Sequence, residues 1–292
     1  MDKRNYNTIN LDSLSTFDIL KKINNEDKKV AQAVEEELTN ISEAVDIIVE
    51  SMKRGGRMFY IGSGTSGKLG VIDASECPPT FGVDDSMIQG IISGGERAIS
   101  GWLEHTEDNE KLAVDDINKR GVNKKDVLVG ISASGNTPYV KRALEYGRDI
   151  GCKTIGVMCD KEGKIKEVCH LAIAVDVGPE VIMGSTRMKA GTAQKMILNM
   201  LSTTAMIKLG KTYSNLMVNV KPINKKLENR VKEIVQLAVG KELNNVDEIL
   251  SKCNYDPKIA IVMIKTGMSL EEAKASLDRN NGVVYDALKN VK

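Results

Sequence analysis

Two short segments of this chain carry residue types that hold a phosphate without adding net charge: Gly62-Ser63-Gly64-Thr65-Ser66-Gly67 and Ser132-Ala133-Ser134-Gly135-Asn136-Thr137. Glycine lets backbone approach an anion closely, and the hydroxyls of Ser63, Thr65, Ser66, Ser132, Ser134 and Thr137 donate to phosphate oxygens. The first segment satisfies G-x-G-x-x-G and nearly satisfies G-x-x-x-x-G-K-[ST]. The nucleoside-triphosphate form needs a hydroxyl after the lysine to hold magnesium, and Leu69 stands there. The dinucleotide form expects an acidic residue closing a second strand about 20 residues on. Asp84 and Asp85 lie at that distance but precede the apolar run at 87–92 instead of ending it. A tight glycine turn without a ligand is the plain alternative for the first segment taken alone. The second segment shifts the balance. It also follows an apolar run, at 127–131, and Thr137-Pro138 reads as an N-cap with proline at N1. The N–H groups and dipole of such a helix end favour an anion, so the paired segments suit reversible binding of a sugar phosphate.

The elements that must position these segments follow from periodicity. Short apolar runs at 58–61, 87–92, 127–131, 154–158 and 171–175 read as strands. They alternate with amphipathic stretches, which predicts an α/β fold with a mainly parallel sheet covered by helices on both faces. The first 54 residues read as an N-terminal helical arm, with Ser15-Thr16 as a cap and Val30, Ala33, Val34, Leu38, Ile41, Val45 and Ile48 at helical spacing. A long helix is expected from near Thr186 to Leu209, with Gly210 beyond its end. Five short helices are expected at 227–239, 246–250, 259–265, 270–277 and 283–288. The organisation is therefore an arm at 1–54, an α/β domain at 55–212 and a small C-terminal helical region at 213–292.

Composition narrows the function. Lys and Arg number 41 against 40 Asp and Glu, so no chain-wide field favours nucleic acid or an anionic membrane, and any anion is bound locally. The five cysteines form no C-x-x-C pair and read as reduced thiols. No apolar run approaches the roughly 18 residues of a membrane span, and the polar start of the chain lacks the apolar region of a signal peptide. The expected location is the cytoplasm. His105 and His170 are the only histidines and suggest no metal site.

The segments then resemble something specific. The two hydroxyl-rich loops resemble those of the sugar isomerase (SIS) domain. Residues 62–82, GSGTSGKLGVIDASECPPTFG, resemble the signature of the N-acetylmuramic acid 6-phosphate etherases, as do SASGNTPYV at 132–140 and GPEVIMGSTRMKAGTAQKMILNMLSTTAMIKLGK at 178–211. The likeness runs from Leu14-Ser15-Thr16 to the C-terminal helices. Many relatives carry Ala at Ser63, Arg at Lys68 and Arg at Asn136, and the last difference bears on how phosphate is contacted. The resemblance implies an SIS-type fold and a homodimer. It also implies removal of D-lactate from C3 of N-acetylmuramic acid 6-phosphate during cell-wall sugar recycling. In that chemistry the C1 aldehyde of the open-chain sugar acidifies the C2 proton, a base removes it, and lactate leaves with help from an acid. Water then adds to the alkene to give N-acetylglucosamine 6-phosphate, so two proton-transfer groups are needed and no metal or redox cofactor.

By motif, Glu76 in Ser75-Glu76-Cys77-Pro78-Pro79 resembles the family's acid, and Glu107 in His105-Thr106-Glu107-Asp108 resembles its base. Pro78 disfavours helical backbone at Cys77, so the helix beginning near Ser66 is expected to stop there and leave Glu76 in its last turn. A negative charge there opposes the helix dipole by about 0.3–1 kcal/mol and favours the protonated acid. The phosphosugar contacts implied are Ser63, Gly64, Thr65, Ser66, Ser132, Ser134, Gly135, Asn136 and Thr137, with Ser185, Thr186 and Arg187 beside the sugar. Ser185 or Thr186 serves equally well as a mere N-cap of the long helix. Arg187 either pairs with a substrate anion or is simply solvated. Two rival readings share the fold: an aldose–ketose isomerase, and a non-catalytic phosphosugar sensor like the glucokinase regulatory protein.

Overall fold

A computed structural model of the chain describes residues 3–101, 103, 105–220 and 225–289. Two compact units are present, one comprising Met1–Ser75 and Asp85–Ser202, the other Glu76–Asp84 and Thr203–Lys292.

In the first unit the five apolar runs form β1 (Met58–Gly62), β2 (Ile88–Ile92), β3 (Val127–Ser132), β4 (Lys153–Met158) and β5 (Leu171–Ala174). All pair in parallel in the order β2-β1-β3-β4-β5. Every residue of β1 and β3 is buried, which is why these strands read as continuous apolar runs instead of alternating ones. The helices are α1 (Thr16–Glu35), α2 (Leu38–Lys53), α3 (Gly64–Phe81), α4 (Glu96–Ser100), α5 (Glu110–Lys119), α6 (Pro138–Asp149) and α7 (Lys189–Lys208), of which α3 and α7 run on into the second unit. Phe59, Ile61 and Leu128 meet Tyr139, Ala143 and Leu144 of α6 on one sheet face. On the other face Gly70 of α3 lies against Tyr60 and Ile131. The chain leaves β1 for β2 on one side and then crosses to β3 on the other, so the sheet order reverses between β1 and β3. Ligands in open parallel sheets bind outside the carboxyl ends of the strands at such a point.

Two local expectations fail. Helix α3 does not stop before Pro78 but continues to Phe81 with Pro78 and Pro79 inside it. Proline keeps a helical φ, so the loss is confined to two N–H donors and local crowding. Bonding resumes with the Gly82 N–H donating to the Pro78 carbonyl at 2.9 Å, and Asn219 Nδ2 donates to the Phe81 carbonyl at 2.6 Å. Cys77 and Phe81 are buried, and that packing overrides the local preference. Glu76 thus lies more than a turn from the helix end, outside the range over which the dipole acts strongly, and the dipole argument for its protonation lapses.

Helix α7 begins at Lys189, not near Thr186. Its first N–H groups, those of Lys189 and Ala190, donate to the two carboxylate oxygens of Glu180 at 3.0 and 2.9 Å. Lys189 Nζ donates to Glu26 Oε2 of α1 at 2.9 Å and to the Val177 carbonyl at 2.8 Å. Lys189, Glu26 and Glu180 are 1%, 3% and 1% exposed, so this cap and ion pair are sealed from water. Burial acts to raise the Glu26 carboxyl, but hydrogen bonds from Lys29, Lys189, Asn5 and Asn7 prevail and hold it at about 2.

The second unit contains α8 (Lys225–Val239), α9 (Val246–Lys252), α10 (Pro257–Thr266), α11 (Leu270–Arg279) and α12 (Val284–Lys289), close to the expected spans. Val231, Val235, Leu250, Ile261, Leu277 and Val284 are among its core residues. Local capping agrees with packing: Asp256 caps α10 ahead of Pro257, and Ser269 with Glu272 forms a capping box on α11. The Lys258 ammonium is buried, donating to the carbonyls of Gly210 and Gly282 at 2.8 and 3.1 Å. Burial and the nearby Lys211 charge lower it to about 8 against the pull of Asp256. Among the described residues no helix is long and apolar enough to cross a membrane.

Candidate functional site

The first glycine segment turns directly from β1 into α3, so only Ser63 separates strand from helix. Gly67 donates its N–H to the Ser63 carbonyl at 3.2 Å. A Cβ on Gly67 would meet the Gly62 carbonyl oxygen at 2.7 Å, so the pair must be glycine for the helix to start this close to the strand. This turn lines a cavity of about 220 Å³ together with the end of β2 and the segment beyond α4. Ser63, Gly64, Thr65, Lys68, Ser93, Thr106 and Glu107 face it. The hydroxyls of Ser63 and Ser93 are hydrogen-bonded, and Ser93 Oγ donates to Thr106 Oγ1 at 3.1 Å. A chain of hydroxyls therefore runs from the first loop to the residue before Glu107.

The second segment follows β3, which pairs with β1 so that Ile131 stands opposite Gly62. Its turn is internally fixed. Ser132 Oγ and Thr137 Oγ1 are 2.8 Å apart, and the Asn136 N–H donates to Ser134 Oγ at 3.2 Å. Asn136 Oδ1 accepts the Lys164 N–H at 3.2 Å. Gly135 has φ +67°, and a Cβ there would lie 2.7 Å from Gly163 Cα. Thr137 is the N-cap of α6 with Pro138 at N1, as expected, but its side chain does not cap the helix. One N–H of the first turn is already committed, because Tyr139 donates to the main-chain carbonyl of Glu107 at 3.0 Å. Glu107 therefore lines the cavity of the first loop while its carbonyl is fastened to the helix that opens from the second. Tyr139 is fully buried, and its phenol donates to Asp116 Oδ2 at 2.7 Å. Burial, then the bond and charge of Asp116, push that phenol far above the ordinary range, and burial pushes the Asp116 carboxyl up.

Of the residues singled out in the sequence, the cavity gathers Ser63, Gly64, Thr65 and Glu107. Ser66 is buried with its hydroxyl donating to Gln194 Oε1 at 3.0 Å, so it braces α3 against α7. Ser132, Ser134, Gly135, Asn136 and Thr137 form the neighbouring loop. Ser185, Thr186 and Arg187 lie on the approach to α7, where the Thr186 carbonyl accepts the Gly191 N–H at 3.0 Å. Thr65 Cγ2 is 3.6 Å from where a Cβ on Gly191 would sit, so this first turn of α7 adjoins the first loop. Glu76 is exposed on α3 in the second unit and is not among the cavity-lining residues. Lys68, Ser93 and Thr106 were not anticipated as a group. Lys68 was legible as one turn beyond Gly64 on the same helix face, whereas Ser93 and Thr106 become neighbours only through the sheet. Among the described residues no three His, Cys, Asp or Glu side chains gather as a metal set.

The chain is similar to known proteins over nearly its whole length. Residues 40–148 match the glucokinase regulatory protein N-terminal SIS domain, and residues 102–204 match the SIS domain. A Clostridium botulinum (strain Hall) protein named N-acetylmuramic acid 6-phosphate etherase is 51% identical over 290 residues, covering 99% of this chain and 96% of the relative. A Clostridioides difficile (strain 630) protein of the same name is 49% identical over 288 residues, covering 99% of this chain and 95% of the relative. Among solved structures, a protein of Escherichia coli CFT073 superposes with a TM-score of 0.50 at 17% identity, over 69% of this chain and 97% of that one. That likeness concerns the fold.

Proposed function

We propose that this chain, which belongs to the N-acetylmuramic acid 6-phosphate etherase family, cleaves the D-lactyl ether of N-acetylmuramic acid 6-phosphate. The products are N-acetylglucosamine 6-phosphate and D-lactate. The observation that carries the reading is the double attachment of Glu107, which lines the cavity of the first loop while its carbonyl holds the helix of the second. A phosphate gripped by the loops leaves the far carbons of an open-chain sugar to reach a carboxylate fixed nearby. In this reading Ser63, Thr65 and the 132–137 turn bind the phosphate end. Glu107 takes the C2 proton, and the electrons move through the C1 carbonyl. Lactate leaves from C3 with a proton from Glu76, and water adds across the C2–C3 alkene. The role of Glu76 rests on its motif, and the proposed cytoplasmic homodimer rests on the family resemblance.

Incubating the purified protein with N-acetylmuramic acid 6-phosphate and assaying D-lactate tests the activity. Stoichiometric release of D-lactate and N-acetylglucosamine 6-phosphate is expected. Turnover to a ketose phosphate without lactate would instead make it an isomerase, and binding without turnover would make it a sensor.

A further inference from the structure

The proposed substrate carries two anions. In the proposed reading the phosphate is met by the hydroxyls of Ser63, Thr65 and the 132–137 turn and by a helix end. The second anion is the lactyl carboxylate, joined through O3 to the carbon next to C2. Whatever holds C2 against Glu107 therefore brings this carboxylate into the Glu107 cavity as well, and two negative charges at short range repel unless a cation lies beside them.

Lys68 is that cation. Among the described residues lining the cavity it is the only lysine or arginine. It lies one turn into α3 from Gly64, so it shares the helix face that opens on the first loop. Its ammonium donates to the Gly101 carbonyl at 3.2 Å, which steadies the side chain and leaves two of its three donors for a ligand. Arg187, the other basic residue considered from sequence, is exposed on the approach to α7 and is not among the cavity-lining residues. We propose that Lys68 binds the lactyl carboxylate and is the residue by which the site distinguishes the lactyl ether from its de-lactylated product.

The proposal rests on the etherase reading, and its test separates the two. The product lacks the carboxylate but keeps the C1 aldehyde in its open form, so the same base should still exchange its C2 proton. Lys68→Gln is compared with wild type in two assays: D-lactate release from N-acetylmuramic acid 6-phosphate, and deuterium uptake at C2 of N-acetylglucosamine 6-phosphate in D₂O. A charge-assisted hydrogen bond of this kind corresponds to a loss of roughly 30-fold in kcat/KM for lactate release, seen mainly in KM. The loss in product exchange should be at least tenfold smaller, and Lys68→Arg should recover most of the lactate activity. Equal losses in both assays, or no loss in either, would overturn the assignment. Calorimetric titration of both sugar phosphates into Glu107→Gln and into Glu107→Gln with Lys68→Gln, neither of which should turn them over, supplies a readout independent of turnover. Glu107→Gln should prefer the lactyl compound and the double variant should not; a Glu107→Gln protein without that preference sinks the proposal even if wild type releases lactate, and a preference without lactate release by wild type sinks only the activity.

Discussion

Replacing Lys189 with methionine removes the positive member of a sealed pair while keeping most of its volume. The ammonium and the Glu26 carboxylate are 2.9 Å apart and 1% and 3% exposed, so the variant leaves a buried carboxylate whose remaining cation is the half-exposed Lys29. Removing one partner of a buried pair typically costs about 3–5 kcal/mol. The wild-type pH dependence gives a second measure. A carboxyl held at about 2 when folded against 4.5 ordinarily is a group with depressed pKa. Its stabilisation, about 3 kcal/mol, is fully present above pH ~4.5 and is lost as pH falls toward 2. Urea unfolding followed by circular dichroism at pH 7 and pH 3 reads both effects. Lys189→Met should lose about 3 kcal/mol at pH 7, the low end of that range because Lys29 still faces Glu26, and show a flatter acid limb, because Glu26 then titrates nearer its ordinary value. Adding Glu26→Gln to Lys189→Met should restore at least about 1 kcal/mol, since the stranded charge is gone. A cost below about 1 kcal/mol, or a double variant no more stable than Lys189→Met, would refute the claim that the two groups form one sealed unit.

Three further outcomes are expected. Gly135→Ala places a Cβ 2.7 Å from Gly163 Cα at φ +67°, so it should displace the second loop and weaken inorganic phosphate or sugar phosphate binding about tenfold or more by calorimetry. Lys258 is lowered to about 8, so the folded chain releases this proton before the unfolded one does; stability should rise from pH 8 toward 10.5, and Lys258→Met should abolish that alkaline rise in thermal melts. Glu76→Gln should suppress lactate release more than C2 exchange, and full lactate release by this variant would remove Glu76 from the acid role.

The sheet was readable because every strand of its centre is buried on both faces, which writes β1 and β3 into the sequence as unbroken apolar runs. The C-terminal helices were readable because their caps are local, as with Asp256-Pro257 and the Ser269–Glu272 box. Helix α7 was misplaced at its start because its cap is Glu180, a residue separated from Lys189 by a loop that no short-range rule spans. Helix α3 was cut short because Pro78 and Pro79 carry a strong local signal, while the burial of Phe81 and the bond from Asn219 are tertiary. The same distinction holds at the site. Ser63, Thr65 and Glu107 stand out by motif and line one cavity, but the hydroxyl chain through Ser93 and Thr106 exists only because β2 pairs with β1. Ser66 looked like a ligand for the reason that Ser63 does, and one helical step turns it inward to Gln194.

The central claim is that Glu107 removes the C2 proton of a phosphosugar held by the two loops. Wild type and Glu107→Gln are each incubated with N-acetylmuramic acid 6-phosphate in D₂O, and C2 of the sugar is followed by proton NMR alongside D-lactate. Wild type should release D-lactate and give N-acetylglucosamine 6-phosphate deuterated at C2. Glu107→Gln should lose both exchange and lactate release by about 100-fold or more. Product that retains its C2 proton in the wild-type reaction, or undiminished exchange in Glu107→Gln, would contradict it.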